Sequence, residues 1–146
     1  MLFKTYHLFL FGTILTLSSF STLHNPLVKS KQILFIENSL STALKKAKAD
    51  RKYIFVDAYA IWCAPCRQLK LSTFKDRKAT DFFNTNFVNV SLDMEKGEGI
   101  NLALKWDVQE YPTLLILDYN GKVILRSIGY LNAKQLIDFG KQALTN

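Results

Sequence analysis

The sequence is poor in residues that bind metals. Its 146 residues contain two cysteines and two histidines. A structural zinc site needs four ligands, most often cysteine and histidine. The histidines, His7 and His24, lie near the N-terminus, outside the predicted folded domain. A zinc site is therefore not predicted, and no metal is assigned.

A long hydrophobic run is also lacking. The apolar stretch at residues 8–17 is well short of the roughly 20 residues that span a bilayer. It follows a segment with Lys4 and no acid, and small residues up to Ser21 come after it. This order is typical of a secretory signal peptide. We predict a signal peptide over residues 1–21, a linker over 22–30 and a folded domain over 31–146.

The predicted leader determines the expected compartment. Cleavage near Ser21 would release the mature chain into the periplasm or the medium, where disulfides form and persist. Without cleavage, the same segment would anchor the protein to a membrane.

Nucleic-acid-binding motifs are absent, although the formal charge is +7. The lysines are spread along the chain, and their densest run, residues 45–52, falls on a predicted amphipathic helix. A solvated helix face explains that run, and weak attraction to anionic membranes or acidic partners is the alternative. The chain shows no internal repeat and has the length of one domain, and a monomer is expected.

Apolar runs and amphipathic stretches alternate along the chain. Strands are predicted at residues 33–37, 53–59, 87–92, 113–117 and 122–128. Helices are predicted after Asn38 or Ser39, after Cys63, Asp76 and Asn132, and at residues 100–106. The last helix is expected to place Ala133, Leu136, Ile137, Gly140 and Leu144 on one face. Asn120-Gly121 indicates a hairpin turn. This order predicts an α/β fold with a mixed central sheet and helices on both faces.

The two cysteines form the sequence Trp62-Cys63-Ala64-Pro65-Cys66 after the central predicted strand. As a structural staple the pair is poor, because so small a loop removes little unfolded-state entropy. Two thiolates could hold Cu(I), which prefers soft ligands. As a redox pair, Cys63 at a helix N-terminus would be favoured as a thiolate. Cys66, one turn later, could attack a mixed disulfide, Pro65 suits the first turn, and Trp62 offers apolar contact surface.

An acid lies inside the predicted central strand. Asp57 is six residues before Cys63 in an otherwise apolar run. A buried carboxyl has a raised pKa, and Asp57 could exchange a proton with Cys66. The alternative is an acid that faces water at the strand end. Pro112, before a later strand, could simply begin that strand.

Together these residues resemble the thioredoxin superfamily. The resemblance covers about residues 31–144 and rests on Asp57, WCAPC, YPT at 111–113, Asn120-Gly121 and Gly129. The segment at residues 72–95 is similar to the thioredoxin-like domain of bacterial periplasmic thiol:disulfide interchange reductases. The resemblance implies a thioredoxin fold and thiol–disulfide oxidoreductase activity on protein substrates. The copper(I)-binding and non-catalytic docking alternatives remain open here.

The resemblance also implies residue roles. Cys63 would attack, Cys66 would resolve, and Asp57 would be the buried acid. Pro112 would be cis and face the cysteine pair, and the backbone of Tyr111 would contact a bound substrate strand.

Three departures from the family pattern are visible. Ala64 stands where thioredoxins usually have glycine before Pro65, and Tyr111 stands where they often have isoleucine. A lysine usually lies near the buried acid on the neighbouring strand, but alignment on Asp93 places Asn89 there. The charge partner of the acid is therefore not identified from the sequence.

The resemblance implies no cofactor, because the dithiol itself carries two electrons. It implies an upstream membrane electron donor or acceptor as a second partner. Reductase, oxidase and isomerase share these residues, and the local resemblance favours a reductase.

Overall fold

The computed structural model describes residues 30–145. The predicted signal peptide and all of the predicted linker except Ser30 lie outside the described residues. The elements in chain order are β1 (Phe35–Glu37), α1 (Leu40–Asp50), β2 (Tyr53–Tyr59), α2 (Ala64–Leu71), a 3₁₀ turn (Thr73–Lys75), α3 (Arg77–Asn86), β3 (Phe87–Asp93), α4 (Glu98–Lys105), β4 (Thr113–Leu117), β5 (Val123–Ile128) and α5 (Ala133–Leu144).

The strands form one mixed sheet in the order β1-β3-β2-β4-β5. β1, β3 and β2 are parallel to one another. β4 pairs antiparallel with β2, and β5 pairs antiparallel with β4. β2 lies in the middle, and its five inner residues are buried. This explains its nearly continuous apolar sequence, because a strand covered on both faces has no polar side. The predicted mixed α/β sheet is confirmed.

Two apolar clusters cover the two faces of the sheet. One packs α1 and α4 against side chains such as Val56, Val90 and Leu115. The other packs α2, α3 and α5 against the opposite face, which includes Phe55 and Leu114. Because side chains alternate along a strand, Asp57 points to the same face as Phe55, beneath α2.

Local polar contacts fix where the helices begin. Ser39 accepts a hydrogen bond from the Thr42 amide at the start of α1, and Asp76 accepts one from Ala79 at the start of α3. Asn132 forms a capping box at the start of α5. In each case a short polar side chain accepts a hydrogen bond from a backbone N–H group of the first turn, as is typical of helix N-termini. These three predicted starts are confirmed.

Two predicted details were wrong. α4 begins at Glu98 rather than near Ile100, after Gly97, which has a positive φ of 53°. The buried face of α5 includes Phe139 and Ala143, whereas Leu144 is exposed. Within residues 30–145, no helix has the length and apolar character needed to cross a bilayer.

Candidate active site

The cysteine pair lies where β2 gives way to α2. Cys63 is the N-cap of α2, and its sulfur is bonded to that of Cys66 at 1.99 Å. Both cysteines are buried and pack with Ala60 in a small cluster. The pair therefore occurs as an intact disulfide at the carboxyl end of a central strand, where open α/β sheets place their sites.

The backbone around Cys63 favours a negative sulfur. The Cys66 amide donates to Cys63 Sγ at 3.1 Å. In the reduced protein, the same N–H group and the helix dipole would stabilise a thiolate at Cys63. Pro65 lies in the first turn, where its missing N–H costs no intrahelical bond. Thus the local structure favours the thiolate, the nucleophilic form of the sulfur, at Cys63 at the start of α2.

Trp62 forms the exposed rim of the site. The residue is 66% exposed, but hydrogen bonds fix both its indole ring and its main-chain carbonyl. Nε1 donates to the Glu95 carboxylate at 3.0 Å, and the Trp62 carbonyl accepts from the Arg67 guanidinium at 3.3 Å. The Tyr111 ring lies 5.8 Å from the indole ring in an edge-on arrangement. The result is a fixed apolar surface beside Cys63.

The loop before β4 completes this rim. The Tyr111–Pro112 peptide bond is cis, as the resemblance implied. Tyr111 packs against the cluster that contains the cysteines, and Pro112 is buried. The structure thus brings Tyr111, Trp62 and the cysteine pair together, while Ala64 and Pro65 are exposed at the helix start.

Asp57 is fully buried, so the alternative of an acid facing water is wrong. Its Oδ2 accepts a hydrogen bond from Ser91 Oγ at 2.9 Å and lies 3.8 Å from Lys70 Nζ. Burial raises the pKa of Asp57 to about 6, and the like charge of Glu37 adds to the rise. Lys70 and the Ser91 hydroxyl act in the opposite direction. Asp57 therefore titrates close to neutral pH.

Sequence reasoning missed the partners of Asp57. Asn89, the position aligned with the family lysine, donates instead to the Leu34 carbonyl and to Asn84 Oδ1. The structure records no hydrogen bond from Asn89 to Asp57. The cation comes from α2. One signal was available: Lys70 follows Cys66 by four residues, which places both on one helix face.

Sequence reasoning also missed Glu95, which binds the indole of Trp62 across the site. Nothing in the spacing of these residues marks that contact. Among residues 30–145, no group of three or more His, Cys, Asp or Glu side chains is arranged to hold a metal.

The fold and the site together define the class, a thiol–disulfide oxidoreductase of the thioredoxin type. The family model described as "Thioredoxin-like domain" matches residues 40–144, and the chain belongs to this family.

Similar proteins include whole thioredoxins and parts of larger proteins. The chain is 30% identical to the thioredoxin of Mycoplasma genitalium over 96 residues, which are 65% of this chain and 86% of that protein. It is 30% identical over 105 residues to the thiol:disulfide interchange protein DsbD of Pseudoalteromonas atlantica. That match covers 69% of this chain but 18% of DsbD, so the chain spans less than a fifth of that relative.

A similar solved structure supports the same assignment. The solution structure of a proposed disulphide-isomerase from Bacteroides thetaiotaomicron is 42% identical and superposes with a TM-score of 0.70. The match covers 79% of this chain and 95% of that one.

Proposed function

We propose that the protein reduces disulfide bonds in exported proteins through the Cys63–Cys66 pair. The observation that carries the thiol–disulfide chemistry is the contact from the Cys66 amide to Cys63 Sγ at a helix N-cap. This contact gives one sulfur of the pair the environment of a nucleophilic thiolate. The reductive direction rests on the resemblance to periplasmic thiol:disulfide interchange reductases. The exposed rim formed by Trp62 gives a protein substrate a place to bind.

In the first step, the Cys63 thiolate attacks one sulfur of a substrate disulfide. A bond forms between Cys63 and the substrate, the substrate S–S bond breaks, and its second sulfur leaves as a thiolate that takes a proton from water. The product is a mixed disulfide between protein and substrate.

In the second step, Cys66 resolves the mixed disulfide. The Cys66 thiol gives its proton to the Asp57 carboxylate and attacks Cys63 Sγ. The bond from Cys63 to the substrate breaks, and the substrate leaves as a thiolate. The substrate has gained two electrons, and the protein now holds the Cys63–Cys66 disulfide. Burial supports Asp57 in this role, because a carboxyl that titrates near pH 6 can take and release a proton near neutrality.

The substrate is proposed to bind as an extended segment across the rim. The backbone of Tyr111 would pair with it, Pro112 would shape the loop that faces the cysteines, and Trp62 would contribute apolar contact. Ala64 and Pro65, exposed at the start of α2, would limit how closely the substrate approaches Cys63.

The proposed compartment is the periplasm or the cell exterior. It rests on the leader-like sequence of residues 1–21, and an uncleaved leader would leave the protein on the membrane. A reductase there needs electrons from elsewhere, since the compartment is kept oxidising. The resemblance to periplasmic thiol:disulfide interchange reductases implies a membrane electron donor as the second partner. The dithiol carries both electrons, and no further cofactor is assigned.

Trapping of mixed disulfides tests the proposal. Cys66→Ser is expected to accumulate covalent complexes with a disulfide-containing substrate, because the resolving sulfur is missing. The matched control is Cys63→Ser, which is expected to accumulate few. Trapping that depends on Cys66 instead would reverse the assigned roles, and no trapping by either variant would contradict the reductase proposal.

A further inference from the structure

Lys70 connects the active-site helix to the buried acid. It follows Cys66 by four residues on α2, so the two side chains share one helix face. Lys70 Nζ lies 3.3 Å from the centre of the Tyr59 ring and 3.8 Å from Asp57 Oδ2. The lysine side chain is 37% exposed, whereas the Asp57 side chain is fully buried. One cation thus contacts both the solvent and the acid.

No other described group next to Asp57 supplies a positive charge to its carboxylate. Ser91 on β3 donates a hydrogen bond but carries no charge. β4 presents Leu114 opposite the acid. Glu37 on β1 disfavours the carboxylate through like charge. Among residues 30–145, Lys70 is the only cation within ion-pair distance of the acid.

Solvent reaches this region from the side of β1. A cleft of about 110 Å³ is lined by Glu37, Lys70 and Ser91 together with Gln32, Ile33, Phe35 and Phe74. This volume is large enough for water molecules. Trp62 and Tyr111 do not line it, so a substrate bound on their rim would leave the cleft open.

We propose that Lys70 is a positioning residue for resolution, whose ammonium group keeps Asp57 in the carboxylate form that accepts the proton of Cys66. The proposal rests on the reductase function proposed above. Lys70 transfers no proton itself. It acts through Asp57, and the cleft keeps its charged end in contact with water while a substrate occupies the rim.

The first test measures Asp57 directly, without any substrate. The carboxyl carbon of Asp57 is followed by NMR through a pH titration in the oxidised protein. Lys70→Met keeps an apolar stem over the Tyr59 ring and removes the charge. In this variant the titration midpoint of Asp57 is expected to rise by about one pH unit, because an opposite charge is lost. The expected shift is small because Lys70 is partly exposed to solvent, which weakens its interaction with the acid. Lys70→Arg is expected to restore the midpoint.

The second test measures resolution of a preformed mixed disulfide as a function of pH. With a midpoint near 6 for the wild type and about 7 for Lys70→Met, the carboxylate fraction falls about twofold at pH 7 and about fivefold at pH 6. The rate of resolution is expected to fall by the same factors. The rate of the first attack by Cys63 is expected to stay unchanged.

Two controls separate this role from a structural one. Lys48→Met removes an exposed lysine from α1 on the other face of the sheet, and neither measurement is expected to change. In an Asp57→Asn background, Lys70→Met is expected to have no further effect on resolution, since the acid through which it acts is gone.

The failures are distinguishable. An unchanged Asp57 midpoint in Lys70→Met overturns the proposal whatever the activity. A shifted midpoint with an unchanged pH profile of resolution also overturns it and leaves the oxidoreductase function intact. A Cys66→Ser variant that forms no mixed disulfide with a disulfide-containing substrate overturns the proposed function, and with it the role of Lys70.

Discussion

Asp57 is expected to weaken the folded protein at neutral pH. Its pKa is 3.8 in the unfolded reference and about 6 in the fold, mainly because of burial. Between these values the folded state binds more protons than the unfolded state, so the free energy of unfolding falls as pH rises. The penalty is absent below about pH 3.8 and complete above about pH 6.

The size of this penalty follows from the shift. A rise of about two pKa units corresponds to about 3 kcal/mol, at about 1.4 kcal/mol per unit. Asp57→Asn removes the charge and retains an acceptor for the Ser91 hydroxyl. The variant is therefore expected to raise the free energy of unfolding by up to about 3 kcal/mol at pH 7 and by almost nothing near pH 3.5.

Urea unfolding of the oxidised protein at both pH values measures the effect. Glu110→Gln, which changes an exposed carboxyl, is the control and is expected to leave stability within about 0.5 kcal/mol. Destabilisation by Asp57→Asn at pH 7, or an equal gain at both pH values, would refute the reasoning from burial.

Three further results are expected. Asp57→Asn should slow resolution by Cys66 near neutral pH more than the first attack by Cys63, in single-turnover kinetics; equal slowing would remove the acid from proton transfer. Trp62→Ala should raise KM for a protein disulfide more than it lowers kcat. Glu95→Gln should act in the same direction but less, because the indole N–H loses a charged acceptor and keeps an amide oxygen. Unchanged KM in both variants would remove the rim from substrate binding. Glu37→Gln should lower the pKa of Asp57, since a like charge is lost, and a rise in the NMR titration would contradict this.

The fold was predictable because its signals are local. Strong apolar runs gave the strands, and Ser39, Asp76 and Asn132 gave three helix starts through side-chain caps that depend on a few neighbouring residues. The face of α5 was predicted less well. Leu144, at the end of the helix, is exposed. Whether a residue at a helix end is buried depends on how far the neighbouring elements extend, which the helical spacing of apolar residues does not show.

The charged partners of the site were not predictable in the same way. Alignment on Asp93 places Asn89 of β3 at the position of the family lysine, but the cation next to Asp57 is Lys70 of α2. The spacing of Cys66 and Lys70 places both on one helix face. Whether that face lies over Asp57 depends on how α2 packs on the sheet, which no local pattern records. The bond from Trp62 to Glu95 likewise joins two loops that are 33 residues apart in sequence.

The equilibrium reduction potential of the Cys63–Cys66 pair tests the proposed reductase function most directly. It is measured by titrating the oxidised protein in a thiol redox buffer. A value near about −270 mV, where thioredoxin lies, is the result expected of a reductant that must be recharged by a donor. A value near about −120 mV, typical of a protein that donates its disulfide, would contradict the proposed direction.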